Sequence, residues 1–383
     1  MNFLHTCWYE NALYVWAEQD VEETILLQNE DCSDVGCSPF NVDAQHLKAL
    51  LAGILWADKK ELHAVQLTIR LPTAVIKRKK YPLPSHSFLI KSENRTALIT
   101  PKGRDLSPWR IDAIKLDNRQ IIALFGACQK QRAAPGIFFD RDIFALKTVY
   151  RFAGALIARG RFLPSICRTA PDGYQAVWHP VLTVQDEARL NKIIARIPRV
   201  AVPADNLAES AEQLLNVLID YVVRVSVMTT LSRAQASKGK FYSVHDAWLS
   251  ALRGESSLIR WESPEELADL QNMLCAWRRP IDFGRESNIT LLLKLHEPQR
   301  DNPSEWLLEI KYIRNTTEHE FPVGTRIFKD SGISEYLLLS LGQAALLFSP
   351  LERIRKHSAV TAAALTRQEA HTFINQTAAL LRA

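Results

Sequence analysis

The apolar residues of this chain change their period near Asp140, and that change constrains the fold more than any other feature of the sequence. Before it, apolar side chains recur at every second position. Asn11 to Ala17 alternates in this way, and Val65, Leu67, Ile69 and Leu71 share one face of a run. Alternation is the mark of a half-buried strand. Beyond Asp140 the spacing becomes three and four, the mark of an amphipathic helix. The expected class is therefore α+β: a β-rich N-terminal third followed by a mostly helical region with an inserted β-hairpin. At 383 residues the chain exceeds one typical core. Three segments are expected: 1–135, mixed and β-rich; 136–285, helical and holding a basic loop at 159–180; and 286–383, a hairpin with C-terminal helices.

Local signals refine this. Glu23 to Gln28 reads as the strand partner of Asn11 to Ala17, and Phe88 to Ile99 as a further strand. A helix is expected near Asp43 to Leu55, and Ile111 to Ala127 should end in another. Lys77-Arg78-Lys79-Lys80, with prolines at 72, 82 and 84, predicts a loop. Asp142 to Ala158 should form a helix ending at Gly160, where the missing Cβ suits a position past a helix end. Helices are expected over Gln185 to Arg196 and, capped by Asp205, over Asn206 to Leu231. A short one should span Ser243 to Leu252 before Gly254. Ser263-Pro264-Glu265-Glu266 reads as a capping box with proline in the first turn, opening a helix that ends near Arg278, before Pro280. Asn288 to Leu295 and Trp306 to Ile313 read as a hairpin. Glu335 to Phe348 is a helix stopped by Pro350, and Thr366-Arg367-Gln368-Glu369 is a second capping box.

Charge is distributed unevenly. Residues 1–60 carry 3 basic and 10 acidic side chains, 61–170 carry 20 and 7, and the remainder 24 and 25. The middle segment, at +13, is dense enough to attract a polyanion, of which nucleic acid is the commonest. The same charge also serves as a solvated face, or one that docks on the acidic first sixty residues. Six cysteines, at 7, 32, 37, 128, 167 and 275, form no Cys-x-x-Cys pair. Without a second pair for Cys32 and Cys37, no zinc site is expected. The opening lacks the basic start and apolar block of a signal peptide. The longest apolar run, Tyr336 to Phe348, is interrupted and too short to span a bilayer. A soluble, cytoplasmic chain without membrane contact is expected.

Signatures of catalysis are missing from the sequence. The Gly239-Lys240 step is followed by Phe241, and Ala234 stands where a phosphate loop needs its first glycine. Asp186-Glu187-Ala188-Arg189 mimics the acidic magnesium motif of helicases, but Thr183, three residues before Asp186, fits a helix N-terminus instead. No Gly-x-Ser-x-Gly elbow and no His-Glu-x-x-His pair is present. No catalytic residue, cofactor or metal ligand is therefore assigned. The candidate nucleic-acid contacts are Lys77, Arg78, Lys79 and Lys80 beside Tyr81, and Arg159, Arg161 and Arg168 around Phe162. Lysine and arginine track phosphates, and an aromatic ring stacks on an exposed base. Equally, Phe162, Leu163 and Trp178 can anchor a core while the arginines pair with carboxylates.

A set of short motifs adds a resemblance. Tyr14-Val15-Trp16-Ala17-Glu18 and Ser38-Pro39-Phe40 open it. Arg159 to Pro164 (with Phe162) and Ala176-Val177-Trp178-His179-Pro180-Val181 follow. Then come Ile197-Pro198-Arg199, His245-Asp246-Ala247-Trp248-Leu249 and Trp306-Leu307-Leu308-Glu309-Ile310. Leu341-Gly342-Gln343-Ala344-Ala345, Pro350-Leu351 and Glu369-Ala370-x-x-Phe373 close the series. In order and spacing, these resemble the N-terminal helicase-associated accessory region of bacterial SWI/SNF-family, DEAD/DEAH-box-like helicases. Trp16, Phe162, Pro164, Trp178, Pro180, Trp248, Trp306 and Gly342 are its signature positions here. The resemblance implies a non-catalytic part of an ATP-dependent translocase on double-stranded DNA. Its ATPase motor has no counterpart in these 383 residues. The motor is expected in trans, or as a part lost from a split or truncated product. A protein-interaction scaffold without nucleic-acid affinity is the competing expectation.

Overall fold

The computed structural model of the chain describes residues 1–19, 36–76, 79–85, 105–128, 132–169, 173–202, 206–230, 241–286, 289–298, 305–314, 320–322, 331–355 and 362–381. Two compact units emerge: Met1–Ala155 with Arg189–Tyr221, and Leu156–Ala188 with Val222–Ala383. The architecture is α+β, with the strands concentrated toward the N-terminus and a β-hairpin set among the later helices.

The first unit is built on a seven-stranded sheet. Its strands are β1 (Asn2–Tyr9), β2 (Ala12–Gln19), β3 (His63–Ile76), β4 (Lys79–Pro82), β5 (Asp105–Leu116), β6 (Arg132–Ala134) and β7 (Ile137–Phe139), in the order β4-β3-β5-β2-β1-β7-β6. The described partners of β2 are β1 and β5. Residues 23–28 and 88–99 lie outside the described set. β1 and β2 meet through Glu10 and Asn11, both left-handed at φ 46° and 60°. Two such residues make the turn whose twist matches the strands it joins. The expected alternation of β3 holds: Ile69 and Leu71 are buried, with Val65 and Leu67 packed beside them against Trp16, Trp109, Ile111 and Ala113.

Helices cover the sheet. α1 (Ala44–Leu55) is capped by Asp43, whose side chain accepts from Gln45 N and His46 N, and it buries Leu47, Leu51 and Leu55 at four-residue spacing. α2 (Asn118–Ala127) opens with a reciprocal capping box between Asp117 and Gln120. α3 (Arg141–Ala158) follows β7 and ends before Gly160, at φ 67°. α4 (Val184–Ile194) and α5 (Leu207–Thr230) complete the set, and the boundary between units falls inside α3, α4 and α5. Asp205, expected to cap α5, lies outside the described residues; the Asn206 side chain accepts from Glu209 N at the helix start.

The second unit begins with a correction. The expected loop between Arg159 and Pro180 is a hairpin, β8 (Phe162–Thr169) and β9 (Gly173–Pro180), in unbroken register from Phe162↔Pro180 to Thr169↔Gly173. Its prolines sit at the open end, which masks the strand pattern in the sequence. α6 (Val244–Arg253), with Ser243 as its cap, and α7 (Pro264–Glu286) pack on it, burying Ile166, Tyr174, Ala176, Trp248, Leu252 and Leu267 together.

A second sheet follows, with β10 (Ile289–His296) and β11 (Trp306–Arg314) forming the expected hairpin. β11 also pairs with β12 (Glu320–Pro322) and, after α8 (Ser331–Leu347) and α9 (Glu352–Arg355), with β13 (Ala362–Leu365). α10 (Arg367–Thr372) opens with the expected Thr366–Glu369 box and runs through a π-turn, Phe373–Thr377, into α11 (Ala378–Leu381). Leu308, Ile310, Leu337, Leu341, Leu351, Leu365 and Phe373 form the core here.

α7 does not stop at Arg278 as expected; it runs through Pro280 to Glu286. A proline inside a helix removes an N–H and leaves the carbonyl four residues back, here that of Ala276, without its helical donor. Gln343 Nε2, from α8, donates to the carbonyl of Trp277 at 2.6 Å, and Arg279 pairs with Glu335 at 2.6 Å. Beyond the proline, Phe283 stacks on Tyr336 at 6.1 Å. These contacts from α8 hold both sides of the interruption in line.

Candidate functional site

The seven basic candidates are distributed over both units. Lys77 and Arg78 lie outside the described residues. Lys79 and Lys80 are not in a loop: they open β4, paired with Ile76 and Val75 of β3. β4 is the edge of the seven-stranded sheet. Lysines on an edge strand can meet an anion, and they also keep the exposed backbone from pairing with another chain. Arg159, Arg161 and Arg168 belong to the second unit. Arg159 and Arg161 flank the open end of the β8–β9 hairpin, and Arg168 stands near its tip, about 20 Å along the strand from Arg161.

Local chemistry decides what these arginines can do. Arg159 Nη2 donates to Asp186 Oδ1 at 2.8 Å while nearly half of its side chain stays exposed. The other oxygen of Asp186 accepts from Thr183 N and Oγ1, and Asp186 N donates back to Thr183 Oγ1. Burial works against charge at Asp186, but the Arg159 and Thr183 hydrogen bonds outweigh it and hold the carboxyl below its ordinary range. Asp186 is thus a helix-capping and ion-pairing group, as its spacing from Thr183 suggests. Arg161 is half-buried, its backbone N–H bonded to Leu156 O and its carbonyl to Val181 N–H. Arg168 is exposed.

The aromatic neighbours are committed to packing. Phe162 meets Trp178 edge-on at 5.7 Å and 82°. Trp178 packs on the hairpin core, and its Nε1 donates to Leu252 O. Trp248 Nε1 donates to Ser165 O. Pro164 pairs with Trp178 in register, and Pro180, opposite Phe162, is buried. These signature residues therefore hold the hairpin to α6. Of the others, Trp16 is fully buried in the first sheet, Trp306 is packed at the edge of the second core, and Gly342 sits on α8 with open space where a Cβ would stand.

One residue missing from the sequence reading governs the same region. Arg224, on α5, is 5% exposed. It donates to Ala251 O at 2.5 Å, Gly254 O at 3.0 Å and Ala176 O at 2.8 Å. A buried guanidinium is tolerated because fixed carbonyls solvate it. It joins α5, the end of α6 and β9. An arginine on an apolar helical face is the only sequence signal for it.

A second missed group surrounds His5, in β1. The imidazole is fully buried and stacked on Trp16 at 4.3 Å. Its Nδ1 faces Asp142 Oδ2 at 2.8 Å and Asp140 Oδ2 at 3.2 Å, and its Nε2 faces Glu18 Oε2 at 3.5 Å. Glu18 is fixed by Ser85 N–H, and Asp142 by Thr6 N–H. Burial disfavours a charged imidazole, but Asp142 and then Glu18 overcome it and raise the His5 pKa well above the usual histidine value. Burial also pushes the Asp142 carboxyl up, against the pull of His5. The nearby Cys7 thiol is pushed far up by burial and by Asp142, so it stays protonated. The sequence assigns no metal ligand, yet the structure assembles His5, Asp140 and Asp142 with ligand atoms within 4.8 Å of one another. Their separation along the chain conceals the group.

Among the described residues no helix is long and apolar enough to cross a membrane. Comparison with protein families, with curated proteins and with solved structures gives no match.

Proposed function

We propose that this chain is a non-catalytic, cytoplasmic accessory module of a bacterial SWI/SNF-type ATP-dependent DNA translocase. It grips the backbone of double-stranded DNA while a motor in trans, or one encoded with it, burns ATP. The observation that carries the reading is the concentration of positive charge in residues 61–170, 20 basic against 7 acidic. Part of it is arrayed on a sheet edge at β4 and part on the β8–β9 hairpin. The ordered series of motifs supports it independently. Because the hairpin aromatics are packed inward, recognition falls to arginine and lysine, and binding of that kind reads phosphate rather than base sequence.

The test is fluorescence anisotropy of a labelled duplex titrated with the chain across a range of salt. Replacing Lys77, Arg78, Lys79 and Lys80 by Ala should weaken binding for every sequence alike. It should also lower the slope of log K against log salt by up to about 0.9 per lost phosphate contact. Unchanged affinity dismisses the β4 edge as the contact.

A specific observation favours the scaffold as a second reading. Leu338, Leu346 and Leu347 on α8, Ile374 in the π-turn and Leu380 on α11 are exposed, Leu346 to 85%. Exposed apolar side chains on the helices of one unit are surface a protein partner could cover. Duplex binding no tighter than that of a charge-matched control would favour this reading over the first.

A further inference from the structure

We infer that His5, Asp140 and Asp142 form a binding site for a divalent transition-metal ion, independent of any DNA contact. Three observations converge. First, two carboxylate oxygens, at 2.8 and 3.2 Å, point at the same nitrogen, Nδ1 of His5. A divalent ion in place of the Nδ1 proton would bind both oxygens and the nitrogen at once. Ligand spacings near 3 Å suit metal bonds of about 2.0–2.2 Å.

Second, the other ring nitrogen, Nε2, is buried and faces Glu18 Oε2 at 3.5 Å. With an ion on Nδ1, the single N–H of the neutral ring resides on Nε2 and faces the carboxylate of Glu18. A histidine ligand backed by a carboxylate in this way is the usual outer arrangement of a metal site. Third, the ligands are set on rigid parts: His5 is on an inner strand, stacked on Trp16, and Asp140 and Asp142 bracket the start of α3. His5 and Asp142 are closed to water, and the Asp140 side chain, 16% exposed, marks the side from which an ion enters.

One imidazole with two carboxylates suits Zn²⁺ or Mn²⁺ better than Ca²⁺, which prefers an all-oxygen shell. Binding is an exchange: the ion takes the Nδ1 lone pair, and the proton that Nδ1 held leaves to solvent. Loading the site therefore releases a proton. The bound ion ties β1 to the start of α3, a structural role.

The experiment is calorimetric titration of the full chain with Zn²⁺ under reducing conditions, in two buffers of different ionisation enthalpy. Expected are one saturable equivalent and release of a proton, with affinity at least tenfold weaker in Asp140→Asn. Asp140 is partly exposed, so that variant keeps the fold, which circular dichroism checks. X-ray absorption of the zinc-loaded natural chain adds a readout that needs no variant: a nitrogen and oxygen shell with a single imidazole is expected. No saturable equivalent, an affinity indifferent to Asp140→Asn, or sulfur in the shell would each overturn the proposal.

Discussion

Trp56 breaks a local rule at no visible gain: it ends α1 in the left-handed region, at φ 53°, with 94% of its surface exposed. That conformation costs a residue with a Cβ about 1–2 kcal/mol. Trp56→Gly should thus stabilise the chain by about 1 kcal/mol in urea denaturation; a loss instead would mean that the ring makes a contact. Arg224 is the opposite case. Arg224→Met keeps the bulk but leaves three carbonyls without their donor, and should destabilise by about 2–4 kcal/mol. His5 sets a pH dependence. Its folded pKa is raised above the unfolded value of about 6.5, so its contribution is complete below that value and is lost as pH rises through the folded one. Denaturation midpoints measured with a chelator present should fall on the alkaline side, and His5→Gln should flatten that fall. Residues of this kind are the least legible in sequence. Arg224 looks like a surface arginine, and His5 finds Asp142 only through the pairing of β1 with β7, 137 positions away.

Elements that announce themselves by local chemistry were readable: α1 from Asp43, α2 within its expected stretch, α6 from Ser243, and α10 from the Thr366–Glu369 box. Each depends on neighbours within four residues. The β8–β9 hairpin was not readable, because prolines 164 and 180 imitate loop composition and its partners, α6 and α7, arrive some seventy residues later. α7 shows how a distant residue overrides a local signal. Proline should have ended it, yet contacts from α8 on both sides of it, Gln343 on the Trp277 carbonyl and Tyr336 on Phe283, hold the helix in line. That account makes a coupled prediction. Pro280→Ala should stabilise by on the order of 1–3 kcal/mol as the helix regains an N–H. Gln343→Leu should destabilise the natural chain by about 1 kcal/mol, and less once Pro280 is gone. Equal effects in both backgrounds would show that Gln343 does not answer the proline.

For the whole molecule, the open question posed by the sequence was whether the basic middle segment faces a polyanion or the chain's own acidic start. The structure removes one acidic residue from that contest: Glu18 is buried against His5 and Ser85. Of the nine others in the first sixty residues, Asp20, Glu22, Glu23, Glu30, Asp31 and Asp34 form the densest run and lie outside the described set. If that stretch competes with DNA for residues 61–170, neutralising it removes a tethered rival anion. Changing Glu22, Glu23 and Glu30 to Gln and Asp31 and Asp34 to Asn should then tighten duplex binding several-fold at low salt. The gain should vanish near 0.3 M salt, where charges more than about 6 Å apart are screened. The control is the same change combined with alanine at Lys77, Arg78, Lys79 and Lys80, which takes away the ground being contested and should erase the gain. Tightening that survives both high salt and the loss of those four side chains would place the competition elsewhere. No tightening at all would mean that the acidic start and the basic segment act apart.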